Sequence, residues 1–524
     1  MYNQEAYRSD QQPGYSHSYG QATSHVQQVD AIKPQQPATV GWRDWPFAVL
    51  FLLNVAAIIA LMGVWGFDAL DSDTKGEKSS PLLSSKNTKT VVIISAVLAV
   101  AALAIALAFV KLLVAFARPM ITFCLWFNVF ISFAVAAYGF AIGSIVFGVL
   151  ALIVALLNLW YARSVRNRIP FAAVNLQVAA AAISKHSTTY CISIALTIVQ
   201  IVWVLAWAIA MVGVANQFKS DEPNQVSNRN GSSDGATCTS NFDCASNYCR
   251  MYSAGLRRCY GNEPQGQGFK SSGSASAAYF FLLLSLYWGL QVFKNISHTT
   301  VAGTVATFWY NSESSGASGA SLKRACTTSL GSICMGSLLV AILQTLRSLA
   351  QSAREEGSCG ACIAECILGC LEALMEYFNR WAFVYVGIYG YTFTKSGKAV
   401  LDLFRSRGFD AIINDDLIGN VLGFASLAVG MICAVVGVIL SNAISGLDFN
   451  NSSVVMGLVG LFIGIGIAMT PLSVIDSSVA TIFVCFAEDP AAFMQSHPDL
   501  YQSLVAEWHA MYPGIMMQAG YWHA

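Results

Sequence analysis

The sequence predicts an all-α fold, a polytopic integral membrane bundle of about ten transmembrane helices with a small disulfide-stapled extracellular loop. Three observations predict it. Charged side chains make up 11% of the 524 residues, where a soluble chain carries roughly 25%. The mean hydropathy of +0.54 is averaged over long polar stretches, so the apolar residues must be gathered into blocks. Four cysteines crowd into one polar loop. Lys and Arg together number 29, as do Asp and Glu, so no net charge draws the chain to nucleic acid, and the lipid bilayer is its first partner.

The elements follow in order. Residues 1–45 are rich in Gln, Tyr and Ser and hold no apolar stretch long enough for a signal peptide. They read as a disordered cytoplasmic tail, on which Tyr2, Tyr7, Tyr15 and Tyr19 could serve adaptor proteins. Five spans are expected within residues 46–217. The first, Phe47 to Phe67, carries no charge, and about 20 residues at about 1.5 Å each cross a hydrocarbon core of about 30 Å. The second runs from Val91 to Val110. Met120 to Ala162 is uncharged but too long for one crossing, so it is divided in two at Tyr138-Gly139, and Ser187 to Gln217 makes the fifth. Residues 218–270 form the cysteine loop. Five more spans are expected within 271–487: Ser271 to Tyr310, Ala325 to Leu346, Trp381 to Thr394 after a Cys-rich helix, Leu417 to Leu447, and Asn450 to Ala487. Residues 488–524 form a cytoplasmic C-terminal tail.

Two kinds of chemistry orient this array. The segment from Arg163 to His186 carries Arg163, Arg166, Arg168 and Lys185 and no acid, which places it in the cytoplasm, and the N-terminus with it. One crossing further on, the loop with Cys238, Cys244, Cys249 and Cys259 then lies outside. There four thiols read as two disulfides, with three pairings open. Sequons at Asn230, Asn450 and Asn451 fall on the same outer side, as glycosylation requires.

A polar side chain at bilayer depth costs several kcal/mol unless it faces a cavity or a partner. Asp476 is such a residue, set just after Pro471, whose ring removes one helical hydrogen bond. In the sixth span Trp288, Gln291, Asn295 and His298 recur at spacings of three, four and three and so form one stripe. That stripe suits a solute pathway as well as interhelical hydrogen bonding. Glycines recur in the last two spans (Gly419, Gly423, Gly430, Gly437; Gly457, Gly460, Gly464, Gly466), where they permit close packing. Cys359, Cys362, Cys366 and Cys370 share one helical face, but along about 16 Å of helix they cannot all reach one metal ion. Palmitoylation or packing suits them better. With no phosphate-binding loop, no His-Glu-x-x-His and no nucleophile elbow, no catalytic residue, metal or cofactor is expected, and solute movement would be downhill or ion-coupled.

Several stretches resemble the choline transporter-like family, including its fungal branch. They are Trp-Arg-Asp-Trp-Pro-Phe (42–47), Lys294-Asn295 with His298 and Val301-Ala302-Gly303 leading to Phe308-Trp309-Tyr310, Asn379-Arg380 with Tyr389-Gly390 and Phe393, and Phe483-Val484-Cys485-Phe486 with Glu488-Asp489. The resemblance covers most of the chain from Gly41 to about Leu504. It implies a ten-helix transporter with both termini cytoplasmic, moving choline or a related small amine across the plasma membrane or an organelle membrane. On it, Trp288, Gln291, Asn295, His298, Tyr389 and Asp476 are the candidate substrate-binding residues. Tyr287 and Trp309 are further aromatic faces for a quaternary ammonium. Two positions depart from the family: Gln291 stands where Glu is frequent, and Ala480 where Asp is frequent. The departures point to a solute that differs from choline, either zwitterionic or neutral. A rival reading is a non-transporting scaffold or receptor that acts through the disulfide loop.

Overall fold

The computed structural model describes residues 41–67, 85–220, 249–253, 256–259, 273–311, 315–355, 359–407, 415–443, 451–511 and 513. The N-terminal tail, Asn230, Cys238, Cys244 and Asn450 lie outside the described residues.

Helix α1 (Trp45–Leu61) opens with Pro46 in its first turn and continues through one π-helical turn, Met62–Gly66. Asp44, at φ 48°, turns the chain into it. The Asp44 carboxylate accepts from Ser332 Oγ at 2.7 Å and from the Phe393 amide at 2.9 Å, tying α1 to two helices far along the chain. Then come α2 (Ser85–Ala115), α3 (Ala117–Ala141) and α4 (Ile145–Val165). The α3–α4 turn lies at Ile142 to Ser144 rather than at Tyr138-Gly139, because Gly143, at φ +78°, adopts the left-handed conformation that reverses the chain. Gly139 instead packs against Gly148 across the hairpin. Helix α4 touches little but α3, and Val146, Trp160 and Ile145 are 70% or more exposed, as suits a face turned to acyl chains.

The basic segment after α4 is folded. Its α5 (Ile169–Lys185) is buried along most of its length and packs on the last long helix. Helix α6 (Thr188–Ser220) leads towards the cysteine loop, of which a hairpin, β1 (Cys249–Ser253) with β2 (Leu256–Cys259), is described. Its register sets Cys249 opposite Cys259.

The second half comprises α7 (Gly273–Tyr310), the short α8 (Ala317–Cys326), α9 (Leu330–Glu355), α10 (Cys359–Tyr389), α11 (Phe393–Arg407), α12 (Asp415–Ala443), α13 (Ser452–Glu488), α14 (Pro490–Ser496) and α15 (Pro498–Met511). The Cys-rich helix and the expected eighth span are one helix, α10, which stops where Gly390 takes φ 62° and its amide caps the Val386 carbonyl. After α13 the chain folds back, and Tyr501, Leu504, Val505 and Trp508 of α15 are buried beneath α5 and α13.

Among the described residues nine helices are long and apolar enough to cross a membrane. Helix α10, at 31 residues or roughly 46 Å, is also long enough but carries Glu365, Glu372, Glu376 and Arg380. The protein is therefore a multi-pass helical membrane bundle. Within it α7, α10 and α13 run in one direction, and α6 and α9 run against them. The pairs Gln291 with Glu376, His298 with Ser477, Trp309 with Asp489, Trp207 with Leu282 and Tyr287 with Ser348 set these directions. Lys185 Nζ lies 5.8 Å from the Phe308 ring centre, so Tyr310 and the basic segment share one end of the bundle. The first turns of α10, with the Arg347–Glu372 (2.8 Å) and Arg354–Glu365 (3.1 Å) pairs, lie at the other.

Candidate functional site

Between α6, α7, α10 and α13, with Val340 of α9 at one side, lies a cavity of about 660 Å³. It is lined by polar groups that the apolar runs around them would otherwise exclude. Two layers of charge cross it.

In the lower layer the Arg380 guanidinium donates to Asp476 Oδ1 at 2.7 Å and to the Asp476 carbonyl at 3.3 Å. His298 Nε2 donates to the Arg380 carbonyl at 2.8 Å, since a carbonyl can only accept, and Nδ1 lies 2.7 Å from the Ser477 hydroxyl. This layer joins α7, α10 and α13 through charge-assisted and backbone bonds. Asp476 is thus the partner of a cation that belongs to the protein.

In the upper layer Glu376 Oε1 accepts from Gln291 Nε2 at 2.9 Å and Gln344 Nε2 at 3.5 Å, and faces Lys294 Nζ at 3.7 Å. Exposure grades along the cavity. The side chains of Lys294 and Glu376 are 61% and 37% exposed, those of Arg380 and Asp476 21% and 31%. The Lys294 layer is therefore the more accessible of the two. Hydroxyls and amides of α6 form the remaining wall: Ser193 bonds Ser297 at 2.9 Å, Thr197 bonds Thr470 at 3.0 Å, and Gln200 donates to the Leu290 carbonyl at 3.3 Å.

Below the lower layer α7 and α10 approach each other closely. A Cβ on Gly387 would stand 2.7 Å from the Thr299 carbonyl oxygen, and one on Gly303 3.0 Å from that of Gly387, so α7 and α10 pass at a distance only glycine permits. Beyond it, at the Tyr310 end, the Tyr389 hydroxyl donates to the Glu488 carboxylate. Tyr385 and Tyr391 flank Tyr389 at 5.6 and 5.2 Å between ring centres, and Lys395 Nζ sits 3.6 Å from the Tyr391 centroid.

The expected site residues divide among these places. Gln291, Asn295, His298 and Asp476 line the cavity. Asn295 also donates to Ser337 Oγ at 2.9 Å, so it serves the α7–α9 contact too. Trp288 is buried beside α9 and donates to the Cys334 carbonyl at 3.0 Å, outside the cavity lining. Tyr389 belongs to the Glu488 cluster, nine residues or about 13 Å of helix from Arg380. Tyr287 bonds Ser348 and Trp309 stacks on Phe493, so the aromatic rings that do line the cavity are Phe293 and Tyr377. Sequence reasoning missed Glu376, Arg380 and the α6 wall. The i, i+4 spacing of Glu376 and Arg380 was the available signal, hidden because four charges made α10 a poor span.

Residues 149–491, well over half of the chain, match the family model described as plasma-membrane choline transporter. Protein PNS1 of the yeast Debaryomyces hansenii is 28% identical over 498 residues, covering 91% of this chain and 88% of the relative. Protein PNS1 of Gibberella zeae is 30% identical over 65% of this chain, and the matched part spans 58% of that relative's length. A CTL-like protein of Dictyostelium discoideum is 34% identical over 44% of this chain and 42% of its own length.

Proposed function

Because the chain belongs to the choline transporter-like family, we propose that it is a membrane transporter that carries choline or a related small amine through the cavity between α6, α7, α10 and α13. The observation that supports this best is the cavity itself, about 660 Å³ with two acids and two cations midway along apolar helices. Keeping four charges at that depth is costly unless water and solute reach them. The volume is in the range of small-molecule sites. Nothing in the cavity or the relatives favours the rival scaffold reading.

Transport follows by alternating access. The basic residues Arg163, Arg166, Arg168 and Lys185 assign the Tyr310 end to the cytoplasm, so the more exposed Lys294 layer of the cavity lies towards the outside and the close Gly303–Gly387 approach towards the inside. Both termini are then cytoplasmic. The Cys249–Cys259 hairpin lies outside, as does Asn451, an exposed sequon residue before α13, and a disulfide and a glycan suit them there. We assign the protein to the plasma membrane. A solute ammonium meets Glu376 before it meets Asp476, which Arg380 already neutralises.

The test is uptake of labelled solute by cells without their own choline carriers, with surface protein quantified. Glu376→Gln should raise the half-saturation concentration for an amine at least tenfold. Unchanged kinetics in that variant would remove Glu376 from the pathway, and no uptake of any amine by the wild type would remove the transporter reading.

A further inference from the structure

Resting on the transport reading above, we propose that the solute is a zwitterion, an amine that also bears an acidic oxygen group, with Glu376 receiving its cationic nitrogen and Lys294 its oxyanion.

Charge balance comes first. The cavity holds Lys294, Glu376, Arg380 and Asp476, two cations and two acids, so a bare cation enters a site with no net negative charge to receive it. A solute that carries both signs brings a partner for each wall. The two ion pairs differ in a way that says which one opens. Arg380 and Asp476 are locked at 2.7 Å, with a second bond from the same nitrogen to the Asp476 carbonyl. Lys294 and Glu376 stand 3.7 Å apart, beyond hydrogen-bond length. All three contacts of Glu376 fall on Oε1, so Oε2 is left to the cavity. Lys294 brings three donors to a side chain that is 61% exposed.

Depth argues in the same direction. Lys294 lies 21 residues from the start of α7 and 16 from its end, roughly 31 and 24 Å of helix, so it stands in the middle part of α7, on the stretch that lines the cavity. Its charge is therefore served by the cavity. A neutral residue would suit a carrier of bare cations better, since an ammonium beside Lys294 is repelled. The cationic end of the solute has Glu376 with the Phe293 and Tyr377 rings on the cavity wall, a setting that accepts a primary or a methylated nitrogen. Because Nζ and Oε1 are close, the opposite charges of the solute need be only a few bonds apart.

The experiment measures uptake of labelled glycine betaine, phosphocholine and choline in cells lacking their own carriers, for the wild type, Lys294→Gln and Lys294→Arg, each normalised to surface protein. The wild type should take up at least one zwitterion with a half-saturation concentration tenfold or more below that for choline. Lys294→Gln should reverse the order, with zwitterion uptake falling tenfold or more while choline uptake rises, and Lys294→Arg should keep the zwitterion. Uptake of betaine alone assigns the oxyanion as a carboxylate, and of phosphocholine alone as a phosphate. Choline taken up as well as or better than both zwitterions by the wild type, or zwitterion uptake undiminished in Lys294→Gln, overturns this inference and leaves the transporter standing. No uptake of any of the three by wild-type protein at the surface overturns both.

Discussion

Arg380 holds the lower layer of the cavity together, because its side chain reaches α13 and its carbonyl receives the His298 ring from α7. Replacing it with Met leaves the Asp476 carboxylate in the cavity without its cation, which destabilises the fold. The expected outcome is a lower Tm for Arg380→Met in detergent, largely restored by adding Asp476→Leu; equal Tm values for wild type and the single variant would contradict the pairing. Asp476 was legible from sequence because a lone acid stands out in an apolar run. Its partner was not, since nothing in the order of residues brings together positions 96 apart. At the Tyr310 end of the bundle, His186 and His497 are both pushed below the ordinary imidazole value, first by burial and then by the Lys185 charge. The unfolded chain therefore binds protons more readily, and stability is complete above about pH 6.5 and declines as the pH falls through the depressed folded values. His497→Phe, which keeps a ring against Phe308, should flatten the fall in Tm between pH 6.5 and 5. A fall as steep as that of the wild type would remove His497 from the account.

Helix α10 shows how an element can be present in sequence and still be misread. Its first half is cysteine-rich and acidic, its second half apolar, and composition suggests a surface helix followed by a short span. The acids have partners instead: Glu365 and Glu372 pair with arginines of α9, and Glu376 faces the cavity, so one unbroken helix becomes affordable in lipid. Glycine recurrence was legible, its division of labour was not. Gly430, Gly457 and Gly464 meet the facing helix of the α12–α13 pair, while Gly419, Gly423 and Gly466 have no atom within 4 Å of a would-be Cβ. Gly387 belongs to the first kind. Gly387→Ala should destabilise the protein by about 1–3 kcal/mol through overpacking against the Thr299 carbonyl. Gly423→Ala, facing open space, should be neutral or slightly stabilising. Thermal unfolding of the two variants side by side decides it, and equal Tm values would mean that α7 and α10 are not in backbone contact.

At the scale of the whole molecule the hydropathy blocks carried the bundle, because lipid imposes length and composition on every crossing. What they could not carry was which helices meet around a solute, since neighbours are chosen by packing rather than by order. On the proposed orientation, with the Lys185 end cytoplasmic, Cys362, Cys366 and Cys370 of α10, all exposed, are expected towards the outer surface and out of reach of the cytoplasmic enzymes that acylate thiols. A membrane-impermeant maleimide added to intact cells should label them, and Cys362→Ser with Cys366→Ser and Cys370→Ser should abolish most of that signal; labelling that appears only after permeabilisation would invert the assigned orientation. The close α7–α10 approach beneath the cavity has a mechanical meaning of its own. Gly303 and Gly387 bring the main chains of α7 and α10 together, with the Ser321 and Arg324 side chains packed against Gly303, so on the proposed transport reading an opening at this level separates these two helices and shifts those side chains. On that reading each such separation displaces neighbouring lipid, and turnover should be slower in thick, stiff membranes and faster in thin, fluid ones at the same affinity for the solute.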